Sequence, residues 1–146
     1  MKKFVRFVSV MLVLSLFLAV PANAQTEVEP RGSAFFNSYG TALTKTGTRS
    51  FQIWFDVDAN LYDMDVLGVT EIIVYRSPNR QSWSRMKTYT PEDYPEMLAY
   101  NTFSYGNYVP FNYATPGYYY TAYITFHAEN STGIGERDVY TEIIQM

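Results

Sequence analysis

The chain has 146 residues, 47% of them hydrophobic and 18% aromatic (14 Tyr, 10 Phe, 2 Trp), with no Cys, one His and a formal net charge of −3. This length suits one domain, and the apolar share excludes wholesale disorder. The composition also excludes disulfide scaffolds, thiolate chemistry, Cys-based metal sites and multi-histidine centres, and the negative charge argues against nucleic acid as a partner.

Residues 1–24 have the layout of a cleaved secretory signal peptide. Lys2, Lys3 and Arg6 precede an apolar run from Val8 to Val20, interrupted only by Ser9 and Ser15. Pro21 and the small-x-small sequence Ala22-Asn23-Ala24 then place the cut between Ala24 and Gln25. The run falls short of the roughly 20 apolar residues of a membrane span. The leader holds three of the eleven Lys+Arg and none of the fourteen Asp+Glu, leaving an exported, extracellular domain at −6 with no membrane span. Export without Cys points to a bacterial source.

Residues 25–32 are polar, with Pro30 and Gly32, and read as a flexible lead-in. Residues 33–146 read as a β domain. A first strand covers Ser33 to Thr44, and Thr46-Gly47-Thr48 is a turn. Ser50 to Ala59 alternates strictly, with Phe51, Ile53, Phe55 and Val57 inward and Gln52, Trp54, Asp56 and Asp58 outward. Asn60 to Gly68 is a loop whose Met64 and Leu67 plug one end of the core. Glu71 to Ser77 is a third strand, Pro78-Asn79-Arg80 a turn, and Ser82 to Thr90 a fourth strand.

Thr90-Pro91-Glu92-Asp93 has the chemistry of a helix start, with a capping Thr, Pro in the first turn and two acids; Pro95 limits the helix to one or two turns. Asn101 to Tyr113 is extended, as one strand or as a hairpin around Gly106-Asn107, and Pro110 assigns it to an edge or a bulge. Tyr118 to Ala128 is the strongest strand. A loop from Glu129 to Glu136, with a polar turn at Asn130-Ser131-Thr132, leads to a last strand from Arg137 to Ile144. About seven strands with turns between them suit an all-β antiparallel sandwich with one short helix.

The stretch Gly117-Tyr118-Tyr119-Tyr120-Thr121-Ala122-Tyr123-Ile124 resembles the penultimate strand of immunoglobulin-like (Ig-like) and fibronectin type III-like domains. There a Gly-bearing turn precedes a corner tyrosine, and the next inward residue is small or apolar. Tyr120 and Ala122 fill those positions; Tyr119 is an alternative corner, since Gly117 stands one residue further away than in antibodies. Met64-Asp65-Val66-Leu67-Gly68, Ser82-Trp83 and Tyr120-Thr121-Ala122 together resemble small secreted Ig-like sandwich proteins of Gram-positive bacteria, whose function is uncharacterised. The resemblance implies a fold without an activity. It also implies that the third, sixth and last strands share a sheet, which would align Ile73 and Tyr75 with Tyr119, Tyr123 and Tyr140 on one outer face. Such a tyrosine patch suits the binding of a carbohydrate or a protein.

Other chemistry is sparse. His127 is the sole imidazole and faces outward beside Thr125 and Glu129, with no nucleophile-elbow motif in the chain. Glu92, Asp93 and Glu96 cluster at the expected helix start. Asp56, Asp58, Asn60, Asp63 and Asp65 are the best candidates for calcium, yet the spacing departs from a calcium loop at Leu61 and Leu67. The expectation is therefore a secreted, non-enzymatic binding module without a required cofactor. A calcium-stabilised domain is the alternative, and a hydrolase ranks last.

Overall fold

The computed structural model describes residues 34–60 and 64–146. The expected signal peptide and lead-in lie outside the described residues, as does Asp63.

Among the described residues, nine strands and one 3₁₀ turn follow in order: β1 Phe36–Gly47, β2 Ser50–Ala59, β3 Val66–Ser77, β4 Ser84–Tyr89, the 3₁₀ turn Pro95–Met97, β5 Leu98–Tyr100, β6 Ser104–Phe111, β7 Tyr119–Asn130, β8 Gly133–Tyr140 and β9 Ile144–Gln145. One sheet has the order β1-β2-β6; the other runs β4-β3-β7-β8, with β5 also pairing β3 and β9 also pairing β7. Every pairing is antiparallel. The molecule is an all-β sandwich.

The alternation in β2 sets the core. Phe51, Ile53, Phe55 and Val57 are buried against Val69, Ile72 and Val74 of β3 and Tyr120, Ala122, Ile124 and Phe126 of β7. Burying each large apolar side chain stabilises the fold by about 1.5–3 kcal/mol. An aromatic cluster joins both sheets. The rings of Phe51 and Phe111 lie 5.0 Å apart, and Tyr120 contacts them at 5.4 Å and 5.8 Å. The Tyr120 hydroxyl accepts the Thr115 N–H at 2.7 Å, so the buried phenol has a partner and pins the chain entering β7.

Strict alternation fails once in β3. A bulge between Val69 and Glu71 shifts the phase by one residue, which lets both Val69 and Ile72 face the core. This bulge extends β3 back to Val66, through residues whose pattern reads as loop. Met64 and Leu67 do plug that end of the core. Gly68 sits there at φ +150, and a Cβ on it would strike the Met97 carbonyl oxygen, so only glycine fits between β3 and the 3₁₀ turn.

The expected helix at Thr90 does not form. Thr90 accepts the Asp93 and Tyr94 N–H groups through its backbone carbonyl in an isolated turn, and the short helix is the 3₁₀ turn at Pro95–Met97, with no side-chain cap. Pro95 lacks the N–H a continuing α-helix needs. The Tyr105 hydroxyl and the Asn107 amide both donate to the Glu96 carbonyl, tying the 3₁₀ turn to β6. Within Asn101 to Tyr113 there is one strand, β6 at Ser104–Phe111, rather than a hairpin, with Gly106 and Asn107 in mid-strand opposite Asp56 and Phe55. β6 is an edge, which accommodates Pro110. The Glu129–Glu136 loop contracts to Ser131-Thr132, whose turn is held by the Asn130 side chain accepting the Thr132 N–H and hydroxyl.

Candidate functional site

β3, β7 and β8 do share a sheet, and cross-strand rows set its outer face. One row runs Ile73, Tyr123, Tyr140; the next pairs Tyr75 with Thr121; a third pairs Ser77 with Tyr119 and Tyr119 with Gln145. Tyr140 is 63% exposed, whereas Tyr75, Tyr119 and Tyr123 are half-buried and Ile73 is buried. Tyr123 and Tyr140 meet edge to face with centroids 5.1 Å apart. A hydrogen bond to Asp138 pushes the Tyr123 phenol above its ordinary range, with burial adding to the shift.

Beside this pair lies a cleft of about 430 Å³, lined by Tyr75, Trp83, Thr121, Tyr140, Thr141 and Ile143. The local sequence explains its shape. β8 ends at Tyr140, and β7 is next paired by β9 at Ile144, so Thr141 to Ile143 form a crossing between the two. Thr141 turns inward. Its N–H donates to the Ala122 carbonyl at 2.8 Å, and its Oγ1 accepts the Ala122 N–H at 2.9 Å. Thr121 Oγ1 donates to the Thr141 carbonyl at 3.1 Å. Ile143 is left at the rim, 40% exposed. Trp83 enters from the turn before β4, where the Asn79 side chain accepts the Gln81 and Ser82 N–H groups.

The structure thus brings Tyr75 and Tyr140 to one cleft and sets Tyr123 edge to face against Tyr140. Tyr119 stands two residues along β7 from Thr121, under the Arg80 guanidinium at 5.6 Å. Trp83 and Ile143 belong to the cleft although no pattern in the sequence points to them. Both fall inside predicted strands, Ser82 to Thr90 and Arg137 to Ile144, but Trp83 lies before β4 begins at Ser84, and Ile143 is exposed by the β8–β9 crossing.

The carboxylates are spread apart. Asp56 and Asp58 lie on the outer face of the three-stranded sheet. Asp65 stands before β3 in the other sheet, its backbone bonded to Glu129 and Asn101. Asp58 accepts the Ser104 hydroxyl at 2.6 Å and the Ser38 hydroxyl at 2.8 Å. These bonds hold its carboxyl below the usual range, Ser104 contributing most. Among the described residues no three His, Cys, Asp or Glu side chains gather as a metal-holding group.

His127 does lie on the outer face, but it is only 8% exposed rather than open to solvent. Its Nδ1 is 3.5 Å from Glu136 and its Nε2 is 3.3 Å from Glu129, so two carboxylates flank the ring. Glu129 shares its strand, and Glu136 is its cross-strand partner. Both of these partners are carboxylates, whereas a hydrolytic triad needs a hydroxyl on one side.

The sequence matches no family model and none of the curated proteins. Among the described residues, no helix is long and apolar enough to cross a membrane.

Proposed function

We propose that this protein is a secreted, non-enzymatic binding module that engages an extracellular carbohydrate or protein through the Tyr75–Trp83–Tyr140 cleft. The observation that carries this reading is the cleft itself. Its volume of about 430 Å³ falls within the range of ligand sites, and its aromatic walls surround two threonines. Tyr and Trp offer large, rigid, amphipathic contact area at low entropic cost. The strand order β1-β2-β6 against β4-β3-β7-β8 and the Tyr120 hydroxyl bond to Thr115 support an Ig-like, fibronectin type III-like reading of the sandwich. Secretion rests on the cationic, apolar and small-x-small segments of residues 1–24. N-terminal sequencing of protein recovered from culture medium should begin at Gln25.

The test is a binding screen on glycan and cell-wall polysaccharide arrays, with pull-downs of secreted and surface proteins in parallel. Trp83→Ala and Tyr140→Ala are compared with the parent. Specific binding that falls at least about tenfold in either variant, with an unchanged melting temperature, supports the reading. Binding that both variants retain would move the site elsewhere, and no binding to any glycan or protein would overturn it.

A further inference from the structure

The opposite sheet carries a second arrangement that the cleft does not use. On β2 the outward residues are Gln52, Trp54, Asp56 and Asp58. Trp54 is paired across the sheet with Tyr108 on β6; their ring centroids are 4.7 Å apart, and they are 40% and 38% exposed. Two exposed aromatic rings in contact form an apolar shelf without burying each other.

The next row is bare. Asp56 lies between Gly40 on β1 and Gly106 on β6. A Cβ at Gly40 would come 2.5 Å from Asp56 Oδ1, and one at Gly106 would lie 3.5 Å from its Cβ. The carboxylate therefore occupies a notch cut to backbone level on both sides. It is exposed, and among the described residues no side chain or backbone N–H bonds it. Asp58, one row further, is by contrast satisfied by Ser38 and Ser104.

Ala42 completes the Trp54 row, so every flanking position along this stretch of β1 is small. The result is a shallow trough about three rows long, with the aromatic shelf at one end and an open carboxylate beside it. Successive outward residues on a strand are spaced by roughly 6.6–6.8 Å, so a group seated on Trp54 lies within reach of Asp56. The outward positions of this sheet carry two aspartates and no Lys or Arg.

We propose that this trough binds a polysaccharide bearing free amino groups, a polymer of 2-amino-2-deoxy sugars. The apolar face of a pyranose ring stacks on the Trp54–Tyr108 shelf, and the ammonium group sits between the Trp54 ring and the Asp56 carboxylate. Both the ring quadrupole and the carboxylate favour a cation there. The charge of the face selects against acidic polymers. Its length and its bare flanks suit an extended chain rather than a single cationic side chain. This site is independent of the Tyr75–Trp83–Tyr140 cleft.

The chain contains only two tryptophans, so a Trp83→Phe background makes Trp54 the sole indole reporter. Fluorescence titration of the full chain in that background uses a glucosamine hexamer at mildly acidic pH, where the sugar amines are charged. Saturable change of the Trp54 emission is expected. The N-acetylated hexamer should bind about tenfold more weakly, and Asp56→Asn should erase that preference while leaving the melting temperature unchanged. Tyr140→Ala should leave the titration unaltered, which separates this result from failure of the cleft reading. Equal affinity for the two hexamers would overturn the amine assignment. Tighter binding of poly-lysine would assign the trough to a polypeptide instead. No response to any of the three probes would overturn the site.

Discussion

The Tyr89 hydroxyl donates to the Pro110 carbonyl at 2.7 Å, joining edge strand β4 of one sheet to edge strand β6 of the other. Tyr89 is fully buried, packs against Tyr94 with centroids 5.0 Å apart, and lies under the Lys87 ammonium at 4.3 Å. This bond closes one side of the sandwich where, among the described residues, neither strand has a further ladder partner.

Tyr89→Phe should therefore cost about 1–2 kcal/mol, a fall of roughly 5–10 °C in melting temperature, because it deletes a buried hydrogen bond between sheets. The pH dependence has a definite sign. Burial, and next the neighbouring Tyr94, push the Tyr89 phenol well above its ordinary range. Above about pH 10 the unfolded chain releases a proton that the folded chain retains, so this contribution is present below that pH and is lost as pH rises. Thermal melts between neutral and strongly alkaline pH should show a shallower alkaline decline in Tyr89→Phe than in the parent. Parallel curves would refute the role given to burial.

Gly68→Ala is expected to destabilise the domain by at least about 2 kcal/mol. The backbone at φ +150 is strained for any L side chain, and the added Cβ would meet the backbone of Met97 and the Leu98 Cα at 3.0 Å. Backbone atoms cannot rotate away as a side-chain tip can. Gly117→Ala is the control, since its positive φ is strained too but a Cβ there meets nothing within 4 Å. Urea denaturation should show the larger loss at Gly68; equal losses would mean that conformation rather than collision dominates.

Asp58 links β1, β2 and β6 through the Ser38 and Ser104 hydroxyls, and its carboxyl is held below the ordinary range. A depressed folded value gives stability that is present above the unfolded pKa of about 3.9 and is lost as pH falls through the folded value. Asp58→Asn should therefore melt a few degrees below the parent at neutral pH, with the gap closing below about pH 4. A gap that persists in acid would show that the carboxylate charge is not what matters. A calcium-stabilised domain would draw on Asp58 and Asp56, so melts with EDTA and with millimolar calcium belong beside this series. A change under about 1 °C is expected, and a rise of several degrees with calcium would favour a metal-stabilised domain.

The residue pattern determined the strands that carry a strong period, and with them the inward and outward faces. β2 occupies the predicted Ser50–Ala59, with all four predicted inward residues buried. Tyr120 and Ala122 point inward on β7, and Tyr119 and Tyr123 point outward. These follow from a property each strand carries locally, because side chains alternate every residue whatever the neighbour. The tertiary structure alone decided the rest. β5 and β9, at three and two residues, are too short to display a period. The bulge at β3, the burial of His127 and the β8–β9 crossing arise from pairing with another strand. The pairings of Trp54 with Tyr108 and of Asp56 with two glycines, and the convergence of Tyr75 and Tyr140 on one cleft, likewise depend on register between segments far apart in the chain. Alternation tells which way a side chain points, and only the packed sheets tell what it meets there.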